Sequence, residues 1–346
     1  KKLEVGQVLV KILYSGICGS QINEIDAAKG PDRFLPHLLG HEGSGFVESI
    51  GPGVHNFKPG DRVITAFISG CGNCTYCLSG FVNLCTTSAA LNTKQYDGTL
   101  RLKHGDKSIH QMQKLGLFSE YLICPQQSLY LLPDEVPMDV AALIGCCVTT
   151  GIGAVLNQQA SKPGIDIVVY GLGGVGLSAI MGAQILNCNN IIAVDIKDHK
   201  LEFAMKFGAT HSVNAADQDP VARVKEITGG LGADYTFEVF GSADTIKSSY
   251  EMAGKRGTVT VVGIAPAGVE APINAVDLVR NEKTLRGTYY GSARGRNDMP
   301  AMVDLYLSGK LNLDDLVVRH YTLDQINEAY DDMDKGEVGR GAIVFD

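Results

Sequence analysis

The sequence predicts an α/β protein with a doubly wound parallel sheet in mid-chain and a β-rich, antiparallel part built around it. Three observations lead there. "IDIVVYGLGGVGLSAIMGAQIL" (165–186) joins a β-branched run to an apolar helical stretch through clustered glycines. Strand-like and helix-like segments then alternate to about residue 290. Residues 1–146 instead carry short β-like runs punctuated by "GPGV", "KPGD" and "SGCGNC".

Composition sets the outer limits. A chain of 346 residues suggests two domains, and 45% hydrophobic with 20% charged residues suits a well-cored fold. The formal net charge of −8, with no Lys/Arg-rich run, argues against nucleic acid as a partner. Nine cysteines, an odd number, without an N-terminal apolar leader point to reduced thiols and a cytoplasmic setting. Residues 167–186 are twenty without a charge, long enough to span a bilayer. Their β-branched opening, glycines and lack of basic flanks favour a buried strand followed by a buried helix, so no membrane is expected.

The alternating part reads in order. "IDIVVY" is a strand, "VGLSAIMGAQIL" a helix and "IIAVD" the next strand. "LEFAMKFGA", "VARVKEITGG" and "ADTIKSSYEMAG" follow as helices, with "HSVNA", "ADYTFEVFG", "GTVTVVGI" and "KTLRGTYYG" as strands, six strands in all. In the first part "QVLVKIL", "GSGFVESI" and "DRVITAFI" are the clearest strands of a barrel-like domain. The tail offers helices at "DMPAMVDLYLSG" and "LDQINEAYDDMDKG" and a strand at "GAIVFD", and is expected to fold back onto the N-terminal domain.

Within the first βαβ unit, "GLGGVG" is G-x-G-x-x-G. Gly171 permits the tight turn, Gly173 lets backbone approach a pyrophosphate, and Gly176 lets helix pack on strand. The phosphates would then meet the helix N-terminus at Gly174 and Val175, where free N–H groups and the dipole favour anions. Asp195, 19 positions after Gly176, ends the second strand. There it can accept bonds from a ribose diol and repel a 2′-phosphate, which favours NAD over NADP.

"CGNCTYCLSGFVNLC" (71–85) places Cys71, Cys74, Cys77 and Cys85 at C-x2-C-x2-C-x7-C. Four sulfurs suit a closed structural zinc site with no position left for substrate. An iron–sulfur cluster is the rival, but the seven-residue gap and the lack of Cys-Pro count against it. A second set is dispersed: Cys18 in "GICGSQ", His41 with Glu42 in "LLGHEGSG", and Cys146 in "LIGCCVTTGIG". Two sulfurs and one imidazole leave a fourth position open, as catalytic zinc requires. Each of these residues alone is equally a core residue.

Taken together, "GICGS", "GHEGSG", the four-cysteine lobe, "DGT…FSEY", "GCCVTTGIG", "GLGGVG…VD" and "GRGAIVF" make the chain resemble the zinc-dependent medium-chain alcohol dehydrogenases over practically its whole length. The resemblance implies a GroES-like catalytic domain from residues 1–147 and 291–346, with the zinc lobe at 71–85, and a Rossmann domain at 148–290. Cys18, His41 and Cys146, with Glu42 nearby, would bind catalytic zinc, and Cys71, Cys74, Cys77 and Cys85 structural zinc. Ser20 is similar in position to a proton-relay hydroxyl, and Thr150 to a residue beside the nicotinamide. Lys200 and Arg340 resemble adenosine and pyrophosphate contacts, while Ile264 and Val175 fall at positions near cofactor and substrate. Phe67, Phe118, Ile264 and Tyr289 would line an apolar pocket for a primary or aromatic alcohol. The activity implied is hydride transfer between an alcohol and NAD, giving an aldehyde or ketone. A polyol, sugar or amino-alcohol dehydrogenase is the alternative within the superfamily, and a non-enzymatic NAD-binding interaction protein the alternative outside it.

There are departures. Gln21 stands where many members carry an Asp that orients the ligand histidine. Asn23 stands where a relay often ends in His, and Gly19 replaces a basic pyrophosphate contact. Ala89 replaces the anion-binding Arg of the glutathione–formaldehyde branch. The longer loop "DGTLRLKHGDKSIHQMQKLGLF" resembles that of dimers, so a homodimer is expected, with a tetramer as alternative. The family's first strand or two are expected before Lys1.

Overall fold

In a computed structural model, residues 2–28, 30–157, 164–336 and 339–346 are described. They divide into two units, Lys1–Cys147 with Ala293–Asp346, and Val148–Ser292. In chain order the main strands are β1 (Gln7–Gly16), β2 (Gly43–Ile50), β3 (Arg62–Thr65), β4 (Tyr121–Pro125), β5 (Leu129–Leu131), β6 (Asp166–Tyr170), β7 (Asn190–Asp195), β8 (His211–Asn214), β9 (Ala233–Glu238), β10 (Ala253–Val261), β11 (Thr284–Gly287), β12 (Val317–Tyr321) and β13 (Arg340–Val344).

The first unit is organised by β1. Val8, Val10 and Ile12 are fully buried at the period-two spacing of a strand with one face on a core. One edge of β1 pairs along its length with β2; the other pairs first with β4, from Gln7 to Lys11, and then with β13, from Tyr14 to Gly16. The full path runs β12-β13-β1-β2-β3-β5. Register shifts at Leu9/Val10 and Ile12/Tyr14 bend the strand and sharpen its twist. β1 and β2 approach closely because a Cβ on Gly45 would lie 2.1 Å from the Lys11 carbonyl oxygen. Val8, Val10, Ile12, Val47, Leu115 and Leu122 belong to the apolar cluster of this unit.

The second unit is a parallel sheet in the order β8-β7-β6-β9-β10-β11. Ile167, Val168 and Val169 of β6 are fully buried, as expected where helices cover both faces. The order reverses between β6 and β9, and ligands of such sheets bind in the crevice outside the strand C-termini at that switch point. The glycine loop lies there.

Several local expectations shift. β10 starts at Ala253, directly after the helix Ala243–Met252, because the chain pairs at Ala233↔Ala253 before the β-branched run begins. "KTLRGTYYG" gives only the four residues of β11, followed by a tight turn at Tyr290–Ser292. The expected long loop contains a hairpin, Leu102–His104 with Lys107–Gln111. Among the described residues one helical segment is long and apolar enough to cross a membrane, Met138–Leu156, but 83% of its window is buried inside the protein, as in a core helix.

Candidate functional site

β6 delivers the chain into the glycine loop. Gly171 has φ +99°, a left-handed conformation suited to glycine. A Cβ on Gly176 would sit 1.9 Å from the Gly171 carbonyl oxygen, so helix and turn close on each other only without a side chain. Gly173 differs: its backbone is extended and nothing lies within 4 Å of its Cβ position. The chain's own packing therefore demands the first and third glycines but not the second. An open cradle directly before the helix Gly174–Ile185 fits an external pyrophosphate.

Asp195 closes the loop from β7. It is 8% exposed; its Oδ2 accepts from the Leu172 N–H at 2.9 Å, and its Oδ1 from Ile196 at 2.8 Å and Lys197 at 3.2 Å. The carboxylate thus joins the loop to the strand end while keeping acceptor capacity for a ribose. Lys200 is half-buried on the helix Asp198–Lys206, and Thr150 is half-buried near the start of the helix Thr149–Leu156. Ile264 and Tyr289 are exposed.

In the first unit, Cys18, His41, Glu42 and Cys146 each present a ligand atom, all within 4.8 Å of one another. Three unrelated local structures deliver them. Cys18 caps the helix Gly19–Ile25, its N–H donating to Gln21 Oε1 at 2.9 Å. His41 follows Gly40, whose φ of +94° and absent Cβ let the chain pass against the Leu117 backbone. Cys146 lies in a π-helical turn, Ile144–Val148, a distortion frequent at functional sites. Nothing in the local sequence announced that turn.

Ser20 Oγ stands 3.3 Å from both Cys18 Sγ and His41 Nε2. The Phe67 ring lies 4.7 Å from the imidazole, centroid to centroid. Nδ1 of His41 is buried with no hydrogen-bond partner among the described residues, while the Gln21 amide is spent on Cys18 and on the Gly16 carbonyl, at 3.4 Å. The Cys18 thiol is pushed well below its ordinary value, chiefly by the hydrogen bond from Cys146, with burial opposing. The same contact, together with burial, pushes Cys146 up. Two soft sulfurs, one primed as thiolate, and an imidazole nitrogen fit zinc.

Glu42 is fully buried. Its Oε1 accepts from the Cys147 N–H at 3.0 Å and its Oε2 pairs with Arg340, whose Nε donates to the Ile17 carbonyl at 3.0 Å. Burial raises the carboxyl's pKa and the guanidinium opposes the rise. Arg340, expected at the cofactor, is 6% exposed and engaged with Glu42 across 298 positions, a pairing that no sequence signal marked. Phe118, expected in the substrate pocket, sits in the core cluster edge-on to Tyr330.

Cys71, Cys74, Cys77 and Cys85 also bring their sulfurs within 4.8 Å of one another. Backbone N–H groups aim at them: Cys74 at Cys71 Sγ, and both Cys71 and Ser88 at Cys85 Sγ, each at 3.3 Å. Cys74 is lowered to about 5, chiefly by a backbone hydrogen bond from Cys77, whereas burial pushes Cys77 up to about 12. The donor set fits a closed four-sulfur zinc site.

Comparison with known proteins agrees with this chemistry. The family described as zinc-binding dehydrogenase matches residues 174–308, and the alcohol dehydrogenase GroES-like domain matches residues 4–134. The chain is 38% identical to the NDMA-dependent alcohol dehydrogenase of Amycolatopsis methanolica, covering 98% of this chain and 92% of the relative. It is 36% identical to the S-(hydroxymethyl)glutathione dehydrogenase of Paracoccus denitrificans, covering 99% and 93%. The crystal structure of benzyl alcohol dehydrogenase from Acinetobacter calcoaceticus superposes with TM-score 0.92 at 32% identity, covering 100% of this chain and 94% of that one. The chain belongs to the zinc-dependent medium-chain alcohol dehydrogenases.

Proposed function

We propose that the protein oxidises a primary or aromatic alcohol with NAD, and reduces the corresponding aldehyde. In this reading Cys18, His41 and Cys146 hold the working zinc, with Glu42 beside it, and Cys71, Cys74, Cys77 and Cys85 hold a structural zinc. The observation that carries it is the convergence of ligand atoms from three distant segments around the Ser20 hydroxyl. When bound there, zinc supplies Lewis acidity that lowers the pKa of an alcohol and polarises a carbonyl.

The chain's own groups do the rest. Ser20 Oγ accepts the substrate proton and passes it outward; Asn23 cannot titrate, so the exit does not end at residue 23. Phe67 supplies an apolar wall beside the imidazole. Glu42, anchored by Arg340, places a carboxylate next to the ligand set. Gly173 opens the pyrophosphate cradle, and Asp195 favours NAD over NADP. The similarity to a benzyl alcohol dehydrogenase supports an aromatic substrate, and Ala89 counts against a glutathione adduct. Nine cysteines with no disulfide between them suit a reducing, cytoplasmic compartment, and we assign a homodimer from the length of the 97–118 segment.

The test is NAD reduction by metal-replete protein across ethanol, benzyl alcohol, geraniol and polyols. Turnover is expected with benzyl and other primary alcohols, and preferentially with NAD. Ser20→Ala should keep its zinc while losing about 10²–10⁴-fold in kcat. Absence of turnover with every alcohol, or turnover confined to polyols, would overturn the assignment.

A further inference from the structure

Lys114 is fully buried, a rare place for an ammonium. Its φ is +67° and that of Gln113 is +52°, so two side-chain-bearing residues in a row adopt a conformation they ordinarily avoid. Such strain persists only where the surroundings enforce it. Nζ donates to Ser88 O at 3.0 Å, Ser88 Oγ at 3.0 Å and Asn92 O at 2.9 Å, and stands 5.7 Å from the Tyr96 ring centroid. All three acceptors are neutral. Among the described residues no carboxylate forms an ion pair with Lys114, although a buried charge needs an opposite one.

The missing negative charge lies one residue further. The Ser88 N–H donates to Cys85 Sγ at 3.3 Å, and Cys85 is the charge that acts on Lys114. Four thiolates around a divalent zinc leave a net charge of about −2. Residues 71–93, which contain all four cysteines, include no Lys, Arg, Asp or Glu. The lobe segment thus carries an excess of negative charge with no cation of its own.

We propose that Lys114 is the counter-cation of the metal-loaded four-cysteine lobe, a positioning residue whose charge, relayed through Ser88 to Cys85, keeps the structural metal in place. The proposal rests on the reading of those cysteines as zinc ligands. Burial lowers the lysine to about 8 even though the charge of Cys85 opposes the fall, so cation and lobe support each other.

The experiment follows zinc release from the full-length protein with a chromogenic chelator, alongside total zinc by atomic emission. The parent should carry two zinc ions and Cys74→Ser one. Lys114→Met should release the lobe zinc at a chelator concentration lower by about tenfold or more, with the second zinc unaffected. Lys114→Arg, which keeps the charge, should stay within about threefold of the parent. Equal loss in both Lys114 variants would mean a purely steric role, and parent-like retention in Lys114→Met would mean no role; either overturns the proposal. If Cys74→Ser keeps two zinc ions, the ligand assignment itself is what fails. Should neither Lys114 variant fold, acetic anhydride labelling of the parent decides. Lys114 should be protected until the lobe zinc leaves and labelled afterwards; labelling that ignores zinc release overturns the proposal.

Discussion

Gly173 and Gly176 sit three residues apart in one loop and answer to different demands. A methyl group at Gly176 would strike the Gly171 carbonyl, whereas one at Gly173 meets nothing. Gly176→Ala should therefore lower stability by about 1–3 kcal/mol, the usual cost of overpacking. Gly173→Ala should leave the melting temperature unchanged and weaken NADH binding. Calorimetry with a fluorescence titration of NADH separates the two, and a destabilised Gly173→Ala would refute the cradle. The packing of Gly171 and Gly176 and the clustering of the cysteine sets were legible in the sequence because special backbone angles, close approach and metal-ligand spacing restrict residue type. Arg340 was not, since a buried ion pair between residues 42 and 340 leaves no local pattern. Lys114 was not legible for a related reason: a lysine in sequence reads as solvated until tertiary structure buries it.

Among elements, the short helix Ala275–Arg280 carries a titration that can be checked. Asn274 caps it through the N–H groups of Val276 and Asp277. Asp277 pairs with Lys283 at 3.0 Å, and Lys283 lies 4.6 Å over the Tyr250 ring. The Lys283 hydrogen bond, followed by that of Tyr250, holds the Asp277 carboxyl below the usual range. A depressed pKa contributes stability that is present above the unfolded value of about 3.9 and is lost as pH falls through the lower folded value. Asp277→Asn should accordingly cost about 1 kcal/mol at neutral pH, with the difference from the parent closing in acid, as read from melts across pH. Elements with strong periodicity or continuous β-branched runs, such as β6 and β7, were readable for the same physical reason that they are buried on both faces. β12 was not: "VVRHY" has its middle residues exposed and gains its place by pairing with β13. The 102–111 hairpin likewise hides its alternation behind lysines and histidines.

For the molecule as a whole, the two candidate metal groups fall in the first unit, and the glycine loop in the second. Stripping both metals with a strong chelator should abolish turnover and lower the melting temperature, while NADH still binds. Restoring zinc should recover activity and stability. Loss of NADH binding along with the metals would show that the second unit depends on them.

The seam between β1 and β13 sets a timetable for synthesis. Tyr14 pairs with Val344, and Glu42 waits for a guanidinium 298 positions downstream. At translation speeds of about 5–20 residues per second, that delay is about 15–60 s. The six-stranded sheet emerges from the ribosome before the first unit can be sewn shut. Until then a nascent chain holds Glu42 without its ionic partner, and any zinc captured by Cys18 and His41 must wait for its finished housing.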